Sequence, residues 1–204
     1  MTVDHLCRSA AERAALALLR DLVGGAEGGP MERHGARVFL IAEELARRAG
    51  IPADREVLLI AALLHDAGLY TSAEERAQVA DSRDLVERLL VGHGWSSARV
   101  RLSADAVEHH HEIRPQWRRG DEVELIRRAD LGDGVPGHPL RFGLDHAWLR
   151  ELDRRVPADG FHRELARLLW RHARQRPVAA FLRVFHPEQA GGDGADGAGR
   201  PSWG

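Results

Sequence analysis

The chain has 204 residues, a formal net charge of −2 and one cysteine, Cys7. The near-balanced charge gives no electrostatic footprint for nucleic acid, and a lone cysteine excludes an intrachain disulfide or a cysteine-built zinc cluster. All 29 basic Lys/Arg residues are Arg, so mechanisms that need a Schiff-base or phosphate-loop lysine are excluded as well.

In chain order, apolar and charged residues recur at helical spacing from Ala10 to Val23, and Gly24-Gly25 stops them. Asp4, Arg8, Glu12 and Arg13 stand where a secretory leader would need apolar residues, so the expectation is a cytoplasmic protein. A Gly-rich loop leads to a second helix over Met31–Ala49, stopped by Gly50. Asp54 is placed to cap a third helix, which carries the unbroken apolar run Val57–Leu64. Eight such residues are far short of the ~20 that span a bilayer, so this is a core helix and no membrane partner is expected. Gly68 reads as its end.

A fourth helix is predicted over Ala73–Val91, and a fifth from Ser96 to His110 or His111, with Pro115 beyond it. A short helix over Asp121–Leu131 precedes the Gly/Pro-rich stretch 132–139. Further helices follow at Phe142–Arg155, Asp159–Gln175 and Pro177–Phe185. From Glu188 the composition offers little to bury, which predicts a disordered tail. With no strand-like alternation, the fold class is all-α: an N-terminal helix and Gly-rich loop (1–30), a core (31–135), C-terminal helices packed on it (136–187) and the tail (188–204).

Polar residues interrupt these apolar faces at few places. His34 shares a helical face with Val38, Ile41 and Leu45. His65-Asp66 closes the apolar run, at a helix end whose unpaired carbonyls favour a cation. Asp130 extends an inward stripe through Ile126. Taken singly, each fits an ordinary role: a core histidine, a capping cluster, a carboxylate paired with Arg127. Two imidazoles and two carboxylates together suit one divalent ion of Zn, Mn, Fe, Co or Ni, with open positions for water.

His34, His65-Asp66 after an apolar helix, and Asp130 in Arg128-Ala129-Asp130 resemble the HD superfamily of metal-dependent phosphohydrolases. His34-Gly35-Ala36-Arg37-Val38 is similar to that family's opening motif, and Ala61–Leu69 to its central one. The resemblance covers Met31–Leu131. It implies an all-helical fold in which His34, His65, Asp66 and Asp130 hold the metal, and a metal-activated water that attacks phosphorus or an electrophilic carbon. Asp66 would also position that water. The Gly68-Leu69 ending is most similar to the cyanamide hydratase-like branch.

The dimetal branches of the superfamily add a His early in the helix after the HD pair. No His stands in Ala73–Ser82, where Glu75 or Asp81 would have to substitute, and His93 reads as a loop residue. A mononuclear site is therefore expected. Of His109, His110 and His111, at most two can face one pocket, since neighbours on a helix point ~100° apart. His110 best fits the His that the family carries in this helix, which implies a proton donor or substrate contact, and it shares a face with Ser103, Ala106 and Val107. Arg37 and Arg114 are candidates for binding an anionic group, and Tyr70 for lining the pocket or packing in the core.

The expected function is a hydrolase acting on a small molecule, foremost a phosphoester, with Asp66, His110 and Arg37 as catalytic residues. Hydration of a carbon–nitrogen triple bond is the alternative, followed by a diiron oxygenase and a non-catalytic metal module. Composition and motifs leave the substrate and oligomeric state open.

Overall fold

A computed structural model describes residues 2–24, 28–71, 78–134 and 142–173. Among them the chain is all-α, with no strand. After a short 3-10 turn (Val3–Leu6) come α1 (Ala10–Val23), α2 (Pro30–Ala49), α3 (Arg55–Leu64), α4 (Gly68–Thr71) and α5 (Gln78–Gly92). Then follow α6 (Ser97–Glu108), α7 (Asp121–Gly134), α8 (His146–Arg155) and α9 (Phe161–Ala173). The expected start of the fourth helix, with Glu75, lies outside the described residues. So do the stretch after Gly134, the Pro177–Phe185 helix and the tail.

Local chemistry sets the helix ends. Ser9 and Glu12 form a reciprocal capping box at the start of α1, and Gly24 ends it in the left-handed region, with φ 94°. Pro30 opens α2, where its missing N–H costs nothing. The Asp54 carboxylate accepts from the backbone N–H of Glu56 and Val57, and Arg99 holds it in turn at 2.8 Å.

Every residue of Val57–Leu64 is buried, so α3 is the central helix. It packs against α1, α2, α5, α6 and α7. The main core joins these helices, while Met31, Leu69, Phe161 and Leu168 form a separate small cluster that seats α9 on α2.

Four expectations need correction. Gly68 is not a left-handed helix cap: it begins α4, and a Cβ there would stand 1.9 Å from the Gln78 carbonyl oxygen, so close backbone packing is what demands glycine. Helix α6 ends at Glu108, leaving His109–His111 in the turn beyond it. Helix α7 runs through Gly132 and Gly134 instead of stopping at Leu131. Helix α8 starts at His146, after an Asp145 cap, and not at Phe142.

Candidate metal centre

The four polar interruptions in the apolar pattern meet at one place. Helix α2 supplies His34 from its first half, the turn after α3 supplies His65 and Asp66, and α7 supplies Asp130. Gly35 permits the meeting. An added Cβ would lie 2.9 Å from the Ala62 carbonyl oxygen and 3.1 Å from Leu63 Cα, so only glycine lets α2 approach α3 this closely. The Nε2 atoms of His34 and His65 are consequently 3.2 Å apart. Asp130 Oδ1 lies 3.3 Å from His34 Nε2 and 3.4 Å from His65 Nε2. Asp66 Oδ2 lies 3.4 Å from His65 Nε2. His34, His65 and Asp66 bring one ligand atom each within 4.8 Å of one another, as do His65, His110 and Asp130.

The imidazole protons can be placed by chemistry. His65 Nδ1 is 2.9 Å from the Ala62 carbonyl oxygen, and His110 Nδ1 is 2.5 Å from that of Val107. A carbonyl only accepts, so both Nδ1 atoms carry the proton and donate. His34 Nδ1 donates to Asp133 Oδ2 at 2.8 Å. In the neutral rings, all three Nε2 atoms are therefore lone pairs, turned toward each other and toward two carboxylates. Nε2 of His110 is buried without a hydrogen-bond partner and stands 3.5 Å from Asp66 Oδ1. These electron-rich groups, in overlapping sets of three, repel unless a cation or extra protons lie between them.

The titration shifts point the same way. Burial pushes His65 down, but the Asp66 charge and the contact with Asp130 outweigh it and hold the imidazole well above its ordinary value. His34 is raised against burial by Asp130 and Asp133. Burial would raise Asp66, yet His65 and His110 keep it well below the carboxylate range. Asp130 is likewise lowered, by His34 and His65. The group is built to hold positive charge.

His110 is buried at the site, His109 is half-buried, and His111 is exposed, although its ring centroid is 3.7 Å from that of His110. Asp66, His110 and His111 also bring ligand atoms within 4.8 Å. Arg37 lies one layer out. Its Nε donates to Asp133 Oδ1 at 2.6 Å, and its Nη1 donates to Asp153 Oδ1 at 2.8 Å and the Val156 carbonyl at 2.7 Å. Arg114 is exposed, and Asp81 hydrogen-bonds Thr71 at 3.3 Å on the surface. The Tyr70 hydroxyl is 3.3 Å from Glu164 Oε1, and its ring packs on the small cluster under α9.

Two residues at the site were not singled out from the sequence. Asp133 is one, and its spacing could have found it: it sits three residues after Asp130, as Arg37 sits three after His34, so the two pairs face each other across α2 and α7. Phe161 is the other, and no motif marks it. Its ring stacks on His34, with centroids 3.8 Å apart and planes 13° from parallel.

A family model described as HD domain matches residues 31–134, half of the chain, and spans every carboxylate and imidazole of this cluster. No curated protein matches the chain.

Proposed function

The chain belongs to the HD-domain family of metal-dependent hydrolases, and on that premise we propose that it hydrolyses a small-molecule phosphoester with one divalent ion. His34, His65, Asp66 and Asp130 hold the ion in this reading. One observation carries it: three Nε2 lone pairs, each fixed by an acceptor on Nδ1, stand in overlapping sets with two carboxylates. The side chains of Asp66 and Asp130 keep 12 % and 15 % of their exposure, so the cluster opens to solvent on their side.

A divalent ion there supplies Lewis acidity and lowers the pKa of water. Asp66 has one oxygen toward His65 and the other toward His110, so it can serve the ion and orient water at once. His110, whose Nδ1 proton is held by the Val107 carbonyl, can take up or give a further proton only at Nε2, which faces Asp66.

Hydration of a carbon–nitrogen triple bond is the second reading, and Arg37 favours it. The Nε and Nη1 of Arg37 serve Asp133, Asp153 and the Val156 carbonyl, which leaves less of its guanidinium for a substrate phosphate. A neutral nitrile or cyanamide needs no such partner.

Metal content of protein purified without added metal, for the native chain and Asp66→Ala, tests the reading. The expected result is near one equivalent, lost in the variant with helical circular dichroism retained. Full occupancy in Asp66→Ala refutes the ligand assignment. Two equivalents, especially of iron, refute the mononuclear site. Turnover of phosphomonoesters against cyanamide then separates the two reactions.

A further inference from the structure

We propose that Asp133 is the positioning residue that makes His34 a ligand, and that Arg37 is the clamp holding Asp133 in place. The inference rests on the metal reading above and assigns Arg37 a role other than anion binding.

The geometry leaves Asp133 one task. Its side chain is 3 % exposed and both oxygens are taken: Oδ2 by His34 Nδ1 at 2.8 Å, Oδ1 by Arg37 Nε at 2.6 Å. The two nitrogens of an imidazole lie on different edges of the ring. Asp133 therefore sits behind His34, away from the point that Nε2 faces, and is not itself placed to be a ligand. What it does is hold the proton on Nδ1 and so leave the lone pair on Nε2. Without an acceptor behind it, a buried His34 would satisfy itself by turning its ring or by moving the proton to Nε2. Either change removes the lone pair from the site. A hydrogen-bond partner on the far nitrogen of a ligating imidazole also raises its basicity.

Arg37 completes the chain. One guanidinium donates to both carboxylates around it, Asp133 and Asp153, and to the Val156 carbonyl. The charge on Asp133 is thereby kept in a buried place without a proton. The same guanidinium ties the cluster to the end of α8, outside the residues that the family model matches. The C-terminal helices thus hold the ligand His34 through two side chains.

Asp133→Asn separates positioning from shape. The carboxylate accepts from two donors, and a carboxamide has only one oxygen to offer. If that oxygen stays with Arg37, the NH2 faces His34 Nδ1 and forces the ring proton to Nε2. We would titrate the full chain and Asp133→Asn with Zn(II) against a chromophoric chelator, alongside circular dichroism. The expected result is a loss of roughly 10–100-fold in Zn(II) affinity with helical content unchanged. Nitrogen-15 imidazole spectra of the native protein, compared with those of Asp133→Asn, give a readout that a merely structural role would not move, since only a positioning role shifts the His34 proton from Nδ1 to Nε2 in the variant. The native protein should show a slowly exchanging His34 Nδ1 proton. Native affinity in a folded Asp133→Asn overturns the proposal and leaves the metal reading standing. Absence of Zn(II) binding by the native chain overturns both. If Asp133→Asn does not fold, the native spectrum decides: a rapidly exchanging or absent Nδ1 proton overturns the proposal, and a protected one supports it.

Discussion

Gly35→Ala tests whether helix spacing sets the site. Two terms oppose each other. Alanine is favoured over glycine inside a helix by about 1 kcal/mol. Against this, the new methyl would meet Ala62 O at 2.9 Å and Leu63 Cα at 3.1 Å, both backbone atoms that cannot rotate away. Reaching ordinary contact at 3.4 Å means moving α2 from α3 by about 0.5 Å. Overpacking of this kind costs about 1–3 kcal/mol, so the net effect is destabilisation of roughly 1 kcal/mol. The consequence for metal is larger than for folding. His34 adjoins Gly35 and His65 follows Leu64, so the shift falls on a pair of nitrogens now 3.2 Å apart. Metal–ligand distances tolerate only about 0.2 Å. Zn(II) affinity should drop at least tenfold. Urea unfolding of the metal-free protein and a chelator competition read the two effects separately. A variant stabilised by the full helix gain, with native Zn(II) affinity, would refute the idea that this contact spaces the ligands.

Glu124→Gln should be costly away from the site. Glu124 is fully buried and accepts from Arg127 at 2.8 and 2.7 Å, from Arg128 at 2.7 Å and from the Gln116 backbone at 2.6 Å. Losing its charge removes the buried carboxylate that Arg127 and Arg128 share, so a loss of about 3 kcal/mol is expected in urea unfolding, and under 1 kcal/mol would contradict it. The same group sets an acid limb: burial raises Glu124, but the two arginines outweigh this and hold it below its ordinary value. Its stabilisation is then complete above the unfolded carboxyl pKa near ~4.3 and is lost as pH falls through the folded value. The stability difference between native chain and variant should shrink below that point; a difference constant down to unfolding would contradict the assignment. Phe161→Ala should uncover the face of His34, and metal should pass to a chelator faster than from the native chain. Its cost to overall stability should be smaller than for a residue of the main core, because Phe161 belongs to the small cluster under α9; an unchanged rate of metal loss would show that the stacking does not shield the site.

The parts legible in the sequence are those where polarity conflicts with pattern. His34, His65, Asp66 and Asp130 stand out because each interrupts an apolar face, and the structure brings all four to one point. Resemblance to the family's histidine, supported by the shared face, singled out His110 from three histidines, although the helix stops at Glu108 and the ring reaches the site from the turn, donating back to Val107. Asp133 was hidden by its neighbours. Gly132 and Gly134 read as a helix stop, and the stop places Asp133 in a loop. Helix α7 continues through both because α2 packs along it and Asp133 pairs with His34 and Arg37. Gly68 carried the opposite error: a glycine after a helix suggests a left-handed cap, whereas its neighbour in space, Gln78, is ten residues away in sequence.

The limits of the pattern bear on the chemistry. Local pattern reports which residues turn inward, and it is silent on what stands behind them. Arg37 looked available for a phosphate because its acidic partners lie at positions 133 and 153, far along the chain. Those partners tie the Nε and Nη1 of Arg37 to the scaffold. If Arg37 serves the scaffold alone, a phosphoester must be recognised by the ion itself and by His110. A substrate without charge would need only the ion and a proton donor. The choice between the two reactions therefore turns less on the four inward residues, which serve either, than on the far ends of Arg37.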